Sequence, residues 1–131
     1  MRIYIAAPWA HKGDMPEIAA KFMGLGATIT HAWWETPDGK DPDYLRECAE
    51  ADVEGVKTAD LVVVINSAKS EGKSFEQGIA VANEKPIIIV GKLGEHSKNV
   101  FHHLTNYRWV DTVQDALATF NTIKWLLKER N

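Results

Sequence analysis

The stretch Leu61-Val62-Val63-Val64-Ile65, entered through Ala59-Asp60 and followed by a polar run to Gly78, decides the fold. Five consecutive aliphatic side chains without alternation read as a strand covered on both faces, the mark of a central strand in a parallel sheet. Parallel neighbours need crossovers, and amphipathic stretches flank this strand on both sides. Upstream, Asp41-Pro42 opens a helix that runs to about Thr58, with residues 36–40 as the loop before it. Residues 27–34, rich in β-branched and aromatic side chains, predict a strand from Ala27 to Trp34. Ahead of it, Asp14-Met15-Pro16 starts a helix with Asp14 as cap, ending near Gly24-Leu25-Gly26, and residues 2–7 read as a buried first strand. Downstream, Ser74 reads as the start of a third helix to about Asn83, and Lys85-Pro86 introduces a strand over 87–90. A short helical segment near 99–103, a strand over 107–110 and a last helix from Asp111 complete the order. On that helix Val113, Leu117, Phe120, Lys124 and Leu127 share a face that is apolar except at Lys124, where Ile123 takes the turn. Strands alternating with helices at this pitch predict a doubly wound five-stranded parallel sheet, a flavodoxin- or Rossmann-like three-layer α/β sandwich.

Length and charge narrow the function. The chain has 131 residues, 45% of them hydrophobic and 25% charged, with 15 Lys and Arg against 18 Asp and Glu for a formal charge of −3. That is one domain's worth of chain, residues 1–131. No apolar run approaches the ~18 residues of a membrane span. The absence of a Lys/Arg run argues against a nucleic-acid polymer as partner. Met1 leads straight into a strand pattern with no n-region, so no secretory signal is expected. The single cysteine, Cys48, excludes an intramolecular disulfide and points to a reduced cytoplasm; mid-helix, it reads as a small core residue. His11, His31, His96, His102 and His103 show no metal spacing, so neither a metal nor another cofactor is expected. What remains is a compact cytoplasmic domain acting on something small.

In doubly wound sheets ligands bind beyond the carboxyl ends of the strands, which directs attention to residues 7–13, 34–40, 66–76 and 91–99. The decisive loop is Ser70-Glu71-Gly72-Lys73-Ser74-Phe75-Glu76-Gln77-Gly78. Gly72 lets the backbone approach a ligand, and the N–H groups around Ser74 favour anions. Glu76 is expected in the first turn, where the helix dipole keeps a carboxylate ionised, as nucleophilic attack on an anomeric carbon requires. The same residues also fit a capping box, Ser74 with Gln77, that needs no function. Asp52 sits among Glu47, Glu50, Glu54 and Asp60, which alone reads as a solvated acidic face. Tyr4 reads equally as a core tyrosine, and Trp9, Trp33 and Trp34 as core indoles or as platforms for a flat base. The loop lacks GxGxxG and GxxxxGK[ST], so nicotinamide and P-loop readings lack their motif.

Taken together, Ile3-Tyr4-Ile5-Ala6-Ala7-Pro8, Asp52, Ala59-Asp60 before the aliphatic strand, and Ser70-x-Gly72-x-x-Phe75-Glu76-x-Gly78-x-Ala80 resemble the nucleoside 2-deoxyribosyltransferase-like superfamily over about residues 2–105. That superfamily includes base-exchanging transferases and 2′-deoxynucleoside 5′-monophosphate N-hydrolases. The resemblance implies that Glu76 is the nucleophile of a covalent deoxyribosyl intermediate, that Asp52 contacts the sugar and assists departure of the base, and that Tyr4 positions the nucleophile. It implies substrate contacts at Ala7, Pro8, Trp9, Ser70, Gly72 and Ser74. It also implies that Asn99, in Asn99-Val100-Phe101, completes the pocket of a neighbouring subunit in a homodimer or larger homo-oligomer. Two departures bear on the substrate. Base-exchanging members often carry an acid where this chain has Ser70, whereas the monophosphate hydrolases have serine there. Those hydrolases also carry an arginine after the first strand, where this chain has Ala10-His11-Lys12; His11, Lys12 and Lys73 are the candidates to stand in. The expected function is cleavage of the N-glycosidic bond of a nucleoside or nucleoside 5′-monophosphate, with transfer to another base or to water. The alternatives are a non-catalytic nucleotide-sensing module and a phosphoribohydrolase of the lysine-decarboxylase-like group, whose glycine-rich loop is missing.

Overall fold

The computed structural model describes residues 1–96 and 98–130, with side chains for all of these but 128–130. Among them, five strands form one all-parallel sheet: β1 (Arg2–Ala6), β2 (Thr28–Ile29), β3 (Leu61–Ile65), β4 (Ile87–Val90) and β5 (Tyr107–Val110), in the order β2-β1-β3-β4-β5. The helices are α1 (Met15–Gly24), α2 (Pro42–Thr58), α3 (Glu71–Ala82) and α4 (Val113–Arg130). α1 packs with α4 and α2 packs with α3, giving the three-layer α/β sandwich that the sequence predicts. This is the flavodoxin-like order, whose switch point falls between β1 and β3. The aliphatic run of β3 is buried at all five positions, because β1 and β4 flank it and helices cover both faces. The core continues through Phe22 of α1 and Phe120 of α4, fully buried and edge-to-face with centroids 5.6 Å apart.

Local signals hold in places and fail in others. Asp41 caps α2 by accepting from the Tyr44 N–H at 3.1 Å, with Pro42 in the first turn. Asp14 precedes α1, but its side chain caps nothing, because a 3-10 turn over Trp9–Asp14 already feeds the helix. The second strand is two residues long, not the eight of Ala27 to Trp34. The chain turns off the sheet at Thr30, whose hydroxyl donates to Gly55 O at 2.8 Å and Ile3 O at 3.3 Å. Trp33 then folds back in a 3-10 turn (Trp33–Glu35) and donates its indole N–H to Ile5 O at 2.7 Å, taking an acceptor that a longer strand would have used.

The third helix starts four residues earlier than expected: Ser70, not Ser74, is its cap and accepts from the Lys73 N–H at 3.3 Å. On α4 Ala116, Leu117 and Phe120 reach the core and Ile123 is half-buried, whereas Leu127 is exposed. Lys124 donates to Leu25 O at 2.5 Å, which makes it a C-terminal cap for α1.

Candidate active site

A pocket of about 480 Å³ opens beyond the carboxyl ends of β1 and β3, at the switch point. Its floor is built from three elements. β1 brings Tyr4, which is wholly buried and donates its hydroxyl to Glu76 Oε2. α3 brings Glu76, and α2 brings Asp52, half-buried and away from exposed Glu47, Glu50 and Glu54. Asp52 reaches this place because α2 passes close to the sheet at Gly55. A Cβ there would lie 2.9 Å from Tyr4 Cδ2 and 3.0 Å from His31 Cβ.

The start of α3 at Ser70 changes the electrostatics expected of Glu76. The carboxylate lies in the second turn, beyond the reach of the terminal dipole, which acts within the first turn. Burial instead raises its pKa to about 7; the Tyr4 hydroxyl offsets part of this and the Asp52 charge adds to it. Asp52 is also raised by burial, with His31 and Tyr4 pulling it back. The Tyr4 hydroxyl is held far above its ordinary range by burial and by the two carboxylates, so it stays a donor. The site therefore pairs a carboxyl group held by a phenol with a second carboxyl group whose pKa burial also raises.

The rest of the lining comes from less regular segments. Trp9 and Trp33 stand 5.9 Å apart with their planes inclined by 31°, one half-exposed and one buried, at the mouth. Ala7, Ser70 and Gly72 line the pocket, while Pro8, Trp34 and Ser74 do not. Asn99 is not in this pocket either; with Ser74 and Phe101 it borders a separate recess of about 420 Å³ behind α3. Cys48 is half-buried and lines the main pocket one helical turn before Asp52, rather than filling the core. Tyr44, a further turn back, donates to Pro37 O at 2.5 Å and fixes the opposite wall.

Two contributors lie outside the sequence expectations: His31 is not among the candidate site residues, and Lys73 is a candidate cation whose burial is not expected. His31 faces the pocket with Nε2 3.4 Å from Asp52 Oδ1, a pairing across 21 residues. Lys73 is 2% exposed and donates to Asn66 Oδ1 and Ala68 O, each at 2.6 Å. Its burial was legible in principle: Lys73, Gln77 and Ala80 follow the i, i+4, i+7 spacing of a buried stripe. Of the three cations considered for an anionic group, only Lys73 lines the pocket. His11 pairs with Ser67 Oγ at 2.5 Å, and Lys12 sits over the Trp9 ring and near Asp38. Among the described residues no three His, Cys, Asp or Glu side chains are grouped to hold a metal ion. Likewise, no described helix is long and apolar enough to cross a membrane.

Comparisons with known proteins bear on the fold and the family. In fold, the chain is similar to a CMP N-glycosidase of Clostridium botulinum, with a TM-score of 0.68 at 20% identity over 94% of this chain and 99% of that one. It is also similar to a 2-deoxyribosyltransferase of Bacillus psychrosaccharolyticus, with a TM-score of 0.68 at 17% identity over 89% and 90% of the two chains. A conserved protein of Enterococcus faecalis gives 0.63 at 15% identity over 90% and 95%. No curated protein matches the sequence. The model of the nucleoside 2-deoxyribosyltransferase family matches residues 3–107, a span that holds Tyr4, α2 and α3. The chain therefore belongs to the nucleoside 2-deoxyribosyltransferase family.

Proposed function

We propose that this protein cleaves the N-glycosidic bond of a (deoxy)nucleoside 5′-monophosphate through a covalent glycosyl ester on Glu76. The observation that carries the reading is the Tyr4 hydroxyl donated to a half-buried Glu76 carboxylate, which lines one pocket together with Asp52. Glu76 attacks C1′ on the face opposite the base; the C1′–N bond breaks, and its electron pair leaves on the base nitrogen. Asp52 supplies or relays the proton that the departing base takes up. Water or a second base then attacks C1′, gives up a proton and returns Glu76 to its carboxylate form. Proposed contacts at the base end are Trp9 and Trp33, with Ala7, Gly72 and Ser70 along the sugar. A second copy supplying Asn99 would close the pocket.

The phosphate is favoured over a plain nucleoside by Lys73. It is a buried cation at the positive end of a helix, with no carboxylate within 4 Å among the described residues. Such a charge is costly unless something pairs with it. Lys73→Gln is expected to lower kcat/KM for a deoxynucleoside 5′-monophosphate by about 10- to 100-fold, the weight of a charged hydrogen bond, and to spare the plain nucleoside. Equal losses on both substrates would argue for a role in the loop alone.

The test of the whole reading is a panel of deoxynucleosides and their 5′-monophosphates, with and without a free acceptor base, followed by chromatography and by the mass of the trapped protein. Free base without acceptor means hydrolysis; a new nucleoside only with acceptor means transfer; neither product sinks the proposal. A pH profile adds a sharper check. Glu76 must be ionised to attack, so kcat/KM should rise with pH up to about 7. Removing the Tyr4 hydroxyl withdraws the hydrogen bond that lowers the Glu76 pKa, so Tyr4→Phe should move this limb to higher pH. A limb that stays in place would assign it to another group.

A further inference from the structure

His31 and Asp52 meet in an arrangement that ordinary packing does not explain. His31 Nε2 and Asp52 Oδ1 stand 3.4 Å apart. Each of these two atoms is shielded from solvent, yet neither has a hydrogen bond of acceptable geometry among the described residues. Buried polar atoms are nearly always satisfied, and the exceptions cluster where chemistry is done. Both residues line the pocket. The backbone that carries His31 lies close against α2: the neighbouring Thr30 donates its hydroxyl to Gly55 O at 2.8 Å, and a Cβ added at Gly55 would lie only 3.0 Å from His31 Cβ. The groups facing the pair are Tyr4 from β1, Glu76 from α3 and Cys48 from α2.

We propose that His31 is a positioning residue for Asp52, which orients its carboxyl group toward the departing base and replenishes the proton that Asp52 hands over. The inference rests on the reading of the site given above. One proton is shared by the pair before reaction. It passes to the base nitrogen as the C1′–N bond breaks and the bond's electron pair goes with the base. The pair then recovers a proton from the water, or the N–H of the second base, that attacks the glycosyl ester. Glu76 takes no part in this transfer, so its attack and the proton delivery are separable by experiment.

The separation uses leaving groups that need no proton. N7-methylguanine and N3-methylcytosine depart from cationic nucleotides as neutral molecules, whereas guanine and cytosine depart from neutral ones and require protonation. The 2′-deoxyguanosine and 2′-deoxycytidine 5′-monophosphates and their methylated counterparts are compared with the unaltered protein, His31→Ala and His31→Gln. For the unmethylated substrates kcat should fall by about 100-fold in His31→Ala, the lower end of the range for acid–base help, with KM nearly unchanged. For the methylated substrates it should fall by less than about threefold, and free imidazole should restore part of the loss on the unmethylated ones. His31→Gln, similar in size and polarity, guards against a folding defect and should show the same substrate split. A fall of equal size on both kinds of substrate, or no fall at all, would overturn the inference while leaving the Glu76 mechanism intact. No base release by the unaltered protein from any of the four would overturn both.

Discussion

Glu76→Gln should stop base release, by at least about a thousandfold, and at pH 8 should leave the protein more stable than it was. The first effect is the loss of the attacking carboxylate from the proposed mechanism. The second follows from the same burial. A carboxyl group with a folded-state pKa near 7, against an ordinary 4.5, binds its proton more tightly in the fold than in the unfolded chain. Stability from this group is therefore complete below about pH 4.5 and drains away as pH rises through about 7. Above that range the ionised fold stands up to about 3 kcal/mol lower than one with a neutral group in place. Glutamine keeps the shape and an acceptor for Tyr4 but never ionises. Urea unfolding at pH 8 should show the gain, and at pH 5 most of it should vanish. A variant less stable than the parent at pH 8 would show that the carboxylate is welcome where it sits, contrary to the electrostatics described. Such an exchange of stability for reactivity is common at reaction centres.

Gly55→Ala is the second large effect, and it acts on a residue outside the pocket. The added methyl would come within 2.9 Å of Tyr4 Cδ2 and 3.0 Å of His31 Cβ, both on well-packed neighbours. The strain is expected to cost about 1–3 kcal/mol of stability. More tellingly, α2 must shift outward to relieve it, carrying Asp52 away from Tyr4 and Glu76. A displacement of about 1 Å at a reacting group commonly costs a hundredfold in rate. Base release should thus fall by about that factor in protein that is still folded at room temperature. Full activity in a folded Gly55→Ala variant would mean that the close approach of α2 has no bearing on the chemistry.

The sequence was most informative where one signal governed alone. The aliphatic run over 61–65 had no other reading than a covered parallel strand, and Asp41-Pro42 no better use than a helix start. The second strand misled because β propensity reports packing as much as backbone preference. Thr30 and Trp33 are good strand residues, but the Thr30 hydroxyl is drawn to Gly55 O of α2, the Trp33 indole takes the Ile5 carbonyl of β1, and His31 between them meets Asp52. Ser74 with Gln77 fits a capping box, yet the cap is Ser70, four residues earlier. Ser70 wins because starting there turns Lys73 and Gln77 inward, where each is hydrogen-bonded. A lysine is rarely fully buried, so composition rules place Lys73 outside even though its spacing places it in. Glu76, Asp52 and Tyr4 were nameable from the family pattern and do lie together. The partnership of His31 with Asp52 depends on how far the second strand runs, and no local pattern encodes that.

The brevity of β2 has a consequence for how this molecule can change over time. After Ile29 the chain runs to Asp41 without a ladder of its own, tethered by single side chains: Trp33 to Ile5 O, Tyr44 to Pro37 O. The first part of this detour meets the site, Thr30 at Gly55 O, His31 at Asp52 and Trp33 at Ile5 O, whereas Thr36, Pro37, Asp38 and Gly39 line the wall. Insertions or deletions confined to residues 36–40 should therefore reshape that wall and leave Tyr4, His31, Asp52 and Glu76 in place. On the proposed mechanism, chemistry and selectivity then sit on separate pieces of chain, and natural selection can trade the one without renegotiating the other.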